Sequence, residues 1–394
     1  MNISEKSICE LLSAALPSGR LNDCFESDAE VVRLNGAECL FTTDEFSAED
    51  LFREGDAHLL GWNIAAGAIS DIYACGGQPL YYAHALTVAE GWDAAYLGRF
   101  AGGVREVLEA TGARFIGGDC GRSKVWRCTA SVLGACNGPP VLRRGAAAGD
   151  AVYLSGPVGA GNLEAALRLV EGRSAGAEGS GGRSFRQGPG LPNRNGSARS
   201  SPTRRAGRSR ASRRLARLLG ESAARMGPGL GAALRLPVRR QESALMRRYA
   251  SACIDTSDGV WAALNALADL NGCGYAVADL PYLAGGVDLC RKVSLPKTLL
   301  FLGECGEYEL LFTLRPEREE AFVAAARESG CAFYRLGSMR PGARTLCEDG
   351  RTTDLASLCI QARDYATPEE YLEAVLRWLA PPSAHQEKGS QQRS

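Results

Sequence analysis

The stretch Ala252-Cys253-Ile254-Asp255-Thr256-Ser257-Asp258-Gly259 limits what this chain can fold into more than any other. A short apolar run delivers Asp255, and a helical pattern, Val260-Trp261-Ala262-Ala263-Leu264, begins straight after Gly259. A strand running into a helix N-terminus aims backbone N–H groups and the positive end of the helix dipole at one point. Two carboxylates three residues apart would hold a hard cation there, and Mg²⁺ with phosphate is a common occupant of such a place. Taken alone, the stretch has a plainer reading as a Ser or Asp N-cap. The same kind of carboxylate recurs at other element ends, and that recurrence favours the cation.

At 394 residues the chain is long enough for two domains with a sizeable core. Hydrophobic content of 45% and charged content of 23% are those of a globular protein, and a formal net charge of zero points to no particular partner. No run approaches the ~20 apolar residues of a membrane helix. The opening Met1-Asn2-Ile3-Ser4-Glu5-Lys6 lacks the layout of a signal peptide, so the expectation is a cytoplasmic protein with no membrane partner. The 14 cysteines never fall as Cys-x-x-Cys, which argues against zinc and redox motifs, and Cys253, Cys273 and Cys331 read as small core residues. With only His58, His84 and His385, a His-based metal site or a Ser-His-Asp triad has little material.

Along the chain, Asn35-Gly36 between two apolar runs predicts a hairpin, its second strand ending at Thr42-Thr43-Asp44. Residues 56–75 carry helical periodicity, with Asp71 near the unfavourable end of the helix dipole, where it is either solvated or compensated by a cation. Ala113-Arg114-Phe115-Ile116 reads as a short strand stopped by a turn at Gly117-Gly118-Asp119. From about Gly172 to Arg214, Ser, Gly, Arg and Pro dominate, and such composition cannot bury enough apolar surface to offset its ordering entropy. The division expected is an N-terminal domain over 1–150, a C-terminal domain over 151–171 and 236–380, an Arg-rich disordered insertion over 172–235 and a disordered tail over 381–394. The insertion could touch nucleic acid through phosphates, but a solvated linker is the plainer reading. Short strands, hairpins and irregular alternation predict α+β layers rather than a doubly wound sheet. Neither a P-loop nor a dinucleotide-binding Gly-x-Gly-x-x-Gly turn occurs in a convincing strand–helix context.

Asp28, Asp44, Asp71, Asp119, Asp255 and Asp258 each stand at or near the end of an apolar element. Gathered together they would form an acidic cleft that needs cations to be tolerable, as when carboxylates share Mg²⁺ carrying polyphosphate. Phe41-Thr42-Thr43-Asp44, the run Ala68-Ile69-Ser70-Asp71 to Gly76, Ile116-Gly117-Gly118-Asp119, Arg143 through Asp150, Ile254 to Gly259 and Tyr308-Glu309-Leu310-Leu311-Phe312-Thr313 occur in a telling order. In that order the chain resembles thiamine-monophosphate kinase, of the superfamily that holds aminoimidazole ribonucleotide synthetase, selenophosphate synthetase and a hydrogenase maturation factor. The resemblance runs from about Asp28 to Thr313 and is interrupted by the Arg-rich stretch. It implies two α+β domains of the aminoimidazole ribonucleotide synthetase-like fold, the N-terminal one pairing in a homodimer to form a β-barrel. It also implies ATP held through Mg²⁺ and direct in-line transfer of its terminal phosphoryl group to a small-molecule acceptor. By match to the motifs, Asp28, Thr43, Asp44, Asp71, Asp119, Asp255 and Asp258 would be magnesium ligands, with Asp119, Asp255 and Asp258 at the chemistry. Gly118, Asp119, Arg143 and Ser257 would contact ATP.

The departures fall unevenly. The family's paired aspartates become Ser27-Asp28, so one ligand is replaced by Ser27, and a substrate-contacting histidine becomes Leu51. The family's Gly-Gly-Glu-Asp-Tyr-Glu-Leu becomes Glu304-Cys305-Gly306-Glu307-Tyr308-Glu309-Leu310, so its substrate-contacting glutamate is Gly306, with Glu304 and Glu307 as substitutes for the charge. Tyr365 is the nearest candidate for the family's late aromatic residue. The nucleotide half is largely kept and the acceptor half largely changed. The leading expectation is therefore an ATP- and Mg²⁺-dependent kinase with an altered acceptor pocket. Two others stand beside it: an ATP-dependent synthetase or cyclase of the same superfamily, and a non-catalytic nucleotide-binding scaffold.

Overall fold

The computed structural model describes residues 5–48, 50, 54–167, 234–292, 294–365 and 367–379. Most of the stretch 172–235, the tail 381–394 and Leu51 lie outside them. Two compact units are distinguished, one formed by residues 1–165 and 232–359, the other by 166–231 and 360–394.

The larger unit opens with helix α1 (Glu5–Ala15) and is then built on two sheets. The first contains β1 (Glu30–Leu34), β2 (Ala37–Ser47), β3 (Gln78–Ala89), β4 (Arg114–Ser123) and β5 (Arg127–Ala135), in the order β1-β2-β5-β3-β4. It is open, and no closed barrel occurs among the described residues. Asn35 and Gly36, at φ 50° and 83°, make the hairpin turn between β1 and β2, as the Asn-Gly pair predicts. Helices α2 (Ala57–Ala74) and α3 (Ala94–Thr111) follow, started by Asp56 and Asp93, whose carboxylates accept from Leu59 N–H and Tyr96 N–H.

The second sheet has seven strands in the order β12-β11-β8-β10-β6-β9-β7. These are β6 (Ala151–Leu154), β7 (Ala250–Asp255), β8 (Gly274–Ala278), β9 (Leu310–Leu314), β10 (Tyr334–Arg340), β11 (Arg344–Glu348) and β12 (Arg351–Asp354). Helices α4 (Arg240–Met246), α5 (Val260–Leu270), α6 (Ala284–Lys292), α7 (Leu299–Leu302) and α8 (Pro316–Ser329) accompany them. In the smaller unit a 3₁₀ turn at Ala362–Asp364 leads to α9 (Pro368–Leu379), and the rings of Tyr365 and Tyr371 lie 6.1 Å apart. The α+β class expected from the sequence is the one observed. No helix among the described residues is long and apolar enough to cross a membrane.

Helix α2 is the pivot of the larger unit. It is apolar all round, as a helix must be when no face meets water, and every residue but His58 is buried. It packs on β2 and β5 of the first sheet, on β7 of the second, and on α3 and α4. The chain beyond residue 233 is fastened to it as well: Trp62 Nε1–H donates to Leu236 O at 2.9 Å, and Asn63 exchanges bonds with Leu234 and Leu236.

Two boundaries differ from expectation. Strand β2 continues to Ser47, so Asp44 lies inside the strand rather than at its end. Strand β4 does not stop at Ile116 but runs on through Gly117, Gly118 and Asp119 to Ser123. The glycines serve an irregularity in the β3–β4 ladder: Gly118 has φ 155°, and a Cβ there would sit 1.7 Å from His84 O. They permit close backbone approach inside a strand rather than a turn.

Helices α2 and α3 meet over glycine. A Cβ on Gly103 would lie 1.9 Å from His58 O, and one on Gly61 would lie 2.1 Å from Phe100 O. Gly103→Ala is expected to push α3 off α2 and destabilise the protein by about 2–3 kcal/mol, since overpacking a tight contact costs that order. Urea unfolding monitored by circular dichroism checks this, and an unchanged midpoint would contradict the packing described.

Candidate functional site

The alternation of β2 decides which of its side chains can meet α2. Leu40, Thr42, Asp44 and Phe46 share the face toward the helix, while Phe41, Thr43 and Glu45 point the other way. Thr42 Oγ1–H donates to Asp71 Oδ2 at 2.5 Å. Asp71 stands on the last turn of α2, which is pinned between the sheets, so its carboxylate is buried rather than solvated. On the other side of α2, β7 ends at Asp255, whose side chain is also buried. Asp28 reaches the same place from the segment before β1, its N–H···O partner being Asp255 N at 3.4 Å.

The ligand oxygens of Asp28, Asp71 and Asp255 lie within 4.8 Å of one another. Asp44 adds its charge to theirs. Burial first, and then Asp255 and Asp28, push the Asp44 carboxyl up to about 7, with Arg143 pulling against them. Burial followed by Asp28 raises Asp255 to about 6, and Ser70, Arg143 and Ser257 moderate the rise. Asp71 is driven well above the carboxylate range by burial, then by Asp44, Asp255 and Asp28. Arg143 Nη2 meets Asp28 Oδ1 at 2.7 Å. Burial works against the Arg143 charge, but the carboxylates outweigh it and hold its pKa above the ordinary value. Asp255 Oδ2 is fully buried and has no hydrogen-bond partner among the described residues.

Acids crowded at this spacing, with an orphaned carboxylate oxygen among them, suit a hard cation with oxygen ligands. Asp28, Asp71 and Asp255, with Asp44 beside them, have the chemistry to hold Mg²⁺. The thiols behind them do not: burial, then Asp28, pushes Cys75 up to about 12 and Cys253 well above its usual value. All fourteen cysteines are free. Ser27, next to Asp28, does not face the acids with a charge but has its hydroxyl 3.2 Å from Cys75 Sγ.

The remaining residues singled out from the sequence are placed elsewhere. Thr43 lies on the opposite face of β2, its hydroxyl 2.9 Å from Ser131 Oγ. Gly118 and Asp119 are on the edge strand β4. Asp44 pairs with Ala130, Ala130 with His84 and His84 with Gly118, so three strand spacings, roughly 14 Å, separate the acids from Gly118. The Asp119 carboxylate accepts from Cys120 N–H at 2.9 Å. Ser257 and Asp258 are exposed in the turn between β7 and α5. Neither caps the helix: the N-cap is Gly259 at φ 86°, without a side-chain bond, so the plainer reading of that stretch as a Ser or Asp cap does not hold. Ser257 N–H donates to Asp255 Oδ1 at 3.3 Å, which ties the turn to the acid instead.

Three residues that the sequence places within the motif runs without a role join the site: Thr42, which bonds Asp71; Ser70, beside Asp255; and Tyr308. Thr42 was legible in principle, since it shares the period-two face of Asp44. Tyr308 required the loop geometry described below.

The N-terminal part of the chain matches the family model for the AIR synthase related protein, N-terminal domain, over residues 26–136. Thiamine-monophosphate kinase of Halobacterium salinarum is 28% identical over 299 residues, which is 74% of this chain and 83% of that protein. Selenide, water dikinase of Desulfitobacterium hafniense is 30% identical over 152 residues, 38% of this chain and 44% of the relative. The solved structure of thiamine monophosphate kinase from Aquifex aeolicus has the same fold, with a TM-score of 0.62 at 21% identity, covering 90% of this chain and 99% of that one.

The raised carboxyls carry a pH signature. A carboxyl whose pKa is higher folded than unfolded binds more protons in the native state, so stability falls as pH climbs from about 4 toward 7. A cation at the acids removes that penalty, and protons compete with it. The rise in melting temperature produced by Mg²⁺ over EDTA is therefore expected to be larger at pH 7.5 than at pH 5.5. Equal shifts at the two pH values would show that these acids do not bind the ion.

Proposed function

We propose that this chain, whose residues 26–136 match the AIR synthase related N-terminal domain and which is similar to thiamine-monophosphate kinases, is an ATP- and Mg²⁺-dependent phosphotransferase with an altered acceptor pocket. The observation that carries this reading is the convergence of Asp28, Asp71 and Asp255 on one point, with an unsatisfied buried oxygen on Asp255 and Arg143 at the rim. Phosphoryl transfer asks for charge neutralisation and positioning more than for a covalent catalyst. Bound Mg²⁺ supplies that neutralisation. Asp28, Asp44, Asp71 and Asp255 would hold the ion, with Asp258 of the turn after β7 assigned to it as a further ligand. Gly118, Asp119, Arg143 and Ser257 are assigned to the nucleotide.

The acceptor side supports a substrate different from thiamine monophosphate, or a different mode of holding it. At Gly306, where the family has its substrate-contacting glutamate, a Cβ would sit 2.3 Å from Ser257 O, so the backbone as folded has no room for a side chain. Glu307 does not restore the charge: its carboxylate accepts from Gly159 N–H at 2.8 Å, and burial raises it to about 8. The similarity to a selenide, water dikinase over 152 residues favours a second reading, an ATP-dependent synthetase that activates its substrate by phosphorylation.

We assign the open face of the first sheet to a homodimer. Phe41, Leu133 and Tyr81 form an apolar row across β2, β5 and β3 on the face away from α2, and Ile116 extends it onto β4. Phe41, Tyr81 and Ile116 are 41%, 42% and 64% exposed. A second copy covering that row would also cover Thr43. Tyr81→Asp is expected to yield a monomer by light scattering, and a mass equal to the parent's would remove the assignment.

The nucleotide reading is tested by thermal unfolding with Mg²⁺ and a non-hydrolysable ATP analogue. At about 100 times Kd a ligand confined to the folded state adds about 2.7 kcal/mol, several degrees for a domain of this size. Asp255→Asn is expected to fold normally, because it removes a buried charge from a crowded group, yet to lose that shift. Undiminished nucleotide affinity in the variant would place the site elsewhere. Phosphoryl transfer from ATP to a panel of acceptors, beginning with thiamine monophosphate, then separates kinase from synthetase.

A further inference from the structure

Tyr308 is held in a conformation that its own backbone does not favour. Its φ is +53°, in the left-handed region, where a bulky non-glycine residue stands at a cost of order 1–3 kcal/mol and only when its surroundings impose it. The imposition is visible on both sides. Glu307 N–H and Tyr308 N–H both point at Thr256 O, at 3.0 and 3.4 Å, and Glu309 N–H donates to Thr256 Oγ1 at 2.9 Å. The Glu307 carboxylate is drawn to Gly159 N–H, and that of Glu309 is held by Ser155 and by two nitrogens of Arg239. The neighbours are thus anchored in the second sheet's own loops, while Tyr308 is turned out between them toward α2.

Two glycines make room for the ring. A Cβ on Gly67 would lie 3.1 Å from Tyr308 Cε1, and one on Gly306 would lie 2.8 Å from Cε2. Gly67 is one helical turn before Asp71, on the same face of α2. The phenol therefore looks along α2 into the acids. Burial, then Asp255, Asp44, Asp50 and Asp258, keeps it protonated, the acids lying on β2, on β7 and in the turns beside them. Among the described residues its hydroxyl has no hydrogen-bond partner. Arg143, the cation at the rim, is already committed to Asp28. An O–H donor that the protein positions with strain but does not itself satisfy is aimed at something that arrives.

We propose that Tyr308 is a phosphate-binding residue, its phenol O–H donating to a phosphoryl oxygen of the nucleotide held at Asp28, Asp44, Asp71 and Asp255. The inference rests on the phosphotransferase reading and adds a donor to it. A phosphate carried by cations at these acids would keep unshared oxygens, and a hydrogen bond to a charged acceptor is among the stronger kinds. Ring packing alone would need a phenyl group only.

The full chain and its Tyr308→Phe and Tyr308→Leu variants are compared by calorimetric titration, first with Mg²⁺ alone and then with Mg²⁺ plus the non-hydrolysable ATP analogue. Tyr308→Phe is expected to melt at the parent's temperature and to bind Mg²⁺ unchanged. It is expected to bind the analogue tenfold or more weakly, the usual scale for one bond to a charged group. Tyr308→Leu is expected to add a fall in melting temperature from lost packing. Unchanged analogue affinity in Tyr308→Phe overturns the proposal, as does an equal loss in Mg²⁺ binding alone, which would assign the hydroxyl to the acids instead. If the parent itself binds no analogue, the phosphotransferase reading falls, and the role of Tyr308 falls with it.

Discussion

Negative charge forced together without enough positive charge to match it is the constraint on which the rest of this protein turns. Asp28, Asp44, Asp71 and Asp255 come from four separate segments, and the positive charge that meets them is Arg143, paired with Asp28. Such a group is tolerable in two ways: some members keep their protons, or a cation joins them. Near neutral pH the first way weakens for Asp255 and Asp44, whose carboxyls are raised only to about 6 and about 7. A fold does not gather four acids for its own stability. Burying charge without full pairing is destabilising, and its persistence points to use.

Helix α2 is what makes the gathering geometrically possible. With sheet on two sides and helices on the others, it has no freedom to roll Asp71 toward water. Its C-terminus also turns its own dipole on the acids. The terminal carbonyls are closed by backbone, Cys75 N–H onto Asp71 O and Gly77 N–H onto Ile72 O around Gly76 at φ 69°, without a basic residue in the last turn. The partial negative charge of that end therefore adds to the carboxylates instead of being neutralised, which sharpens the requirement for a cation.

How much of this could be read in advance depended on whether the signal was local. The Asn35-Gly36 turn, the long apolar helix carrying Asp71 and the strand-to-helix passage at Asp255 each follow from a few adjacent residues, and each is found. Asp71 was legible even as an anomaly, an acid at the wrong end of a helix. What escaped depended on a partner far along the chain. Gly117-Gly118-Asp119 looks like a turn because glycine pairs make turns, but the close approach of His84 O converts it into a strand irregularity. Strands β11 and β12 are set by their pairing in the second sheet, and the four-residue helix α7 by its packing on α5. Thr43 and Asp119 share motifs with Asp44 and Gly118 in sequence, yet Thr43 faces away from the acids and Asp119 lies across the sheet. Motif membership fixes neither face nor distance.

The loop that carries Tyr308 is constrained from the other side of the acids. Between Gly303 and Glu309 the chain is clamped by Thr256, by the amide of Gly159 and by Arg239, leaving little freedom for side chains to be exchanged one at a time. Gly306 lies hard against Ser257 O with no room for a side chain, and the Glu307 carboxylate is spent on the Gly159 amide. Gly306 also leaves the space that the ring of Tyr308 fills, so this position shapes the side of the loop that faces the acids as well. The loop thus presents the Tyr308 ring toward the acids while the carboxylates on either side of it are held by the second sheet's own contacts, and the acids across from it are held together by the charge they share.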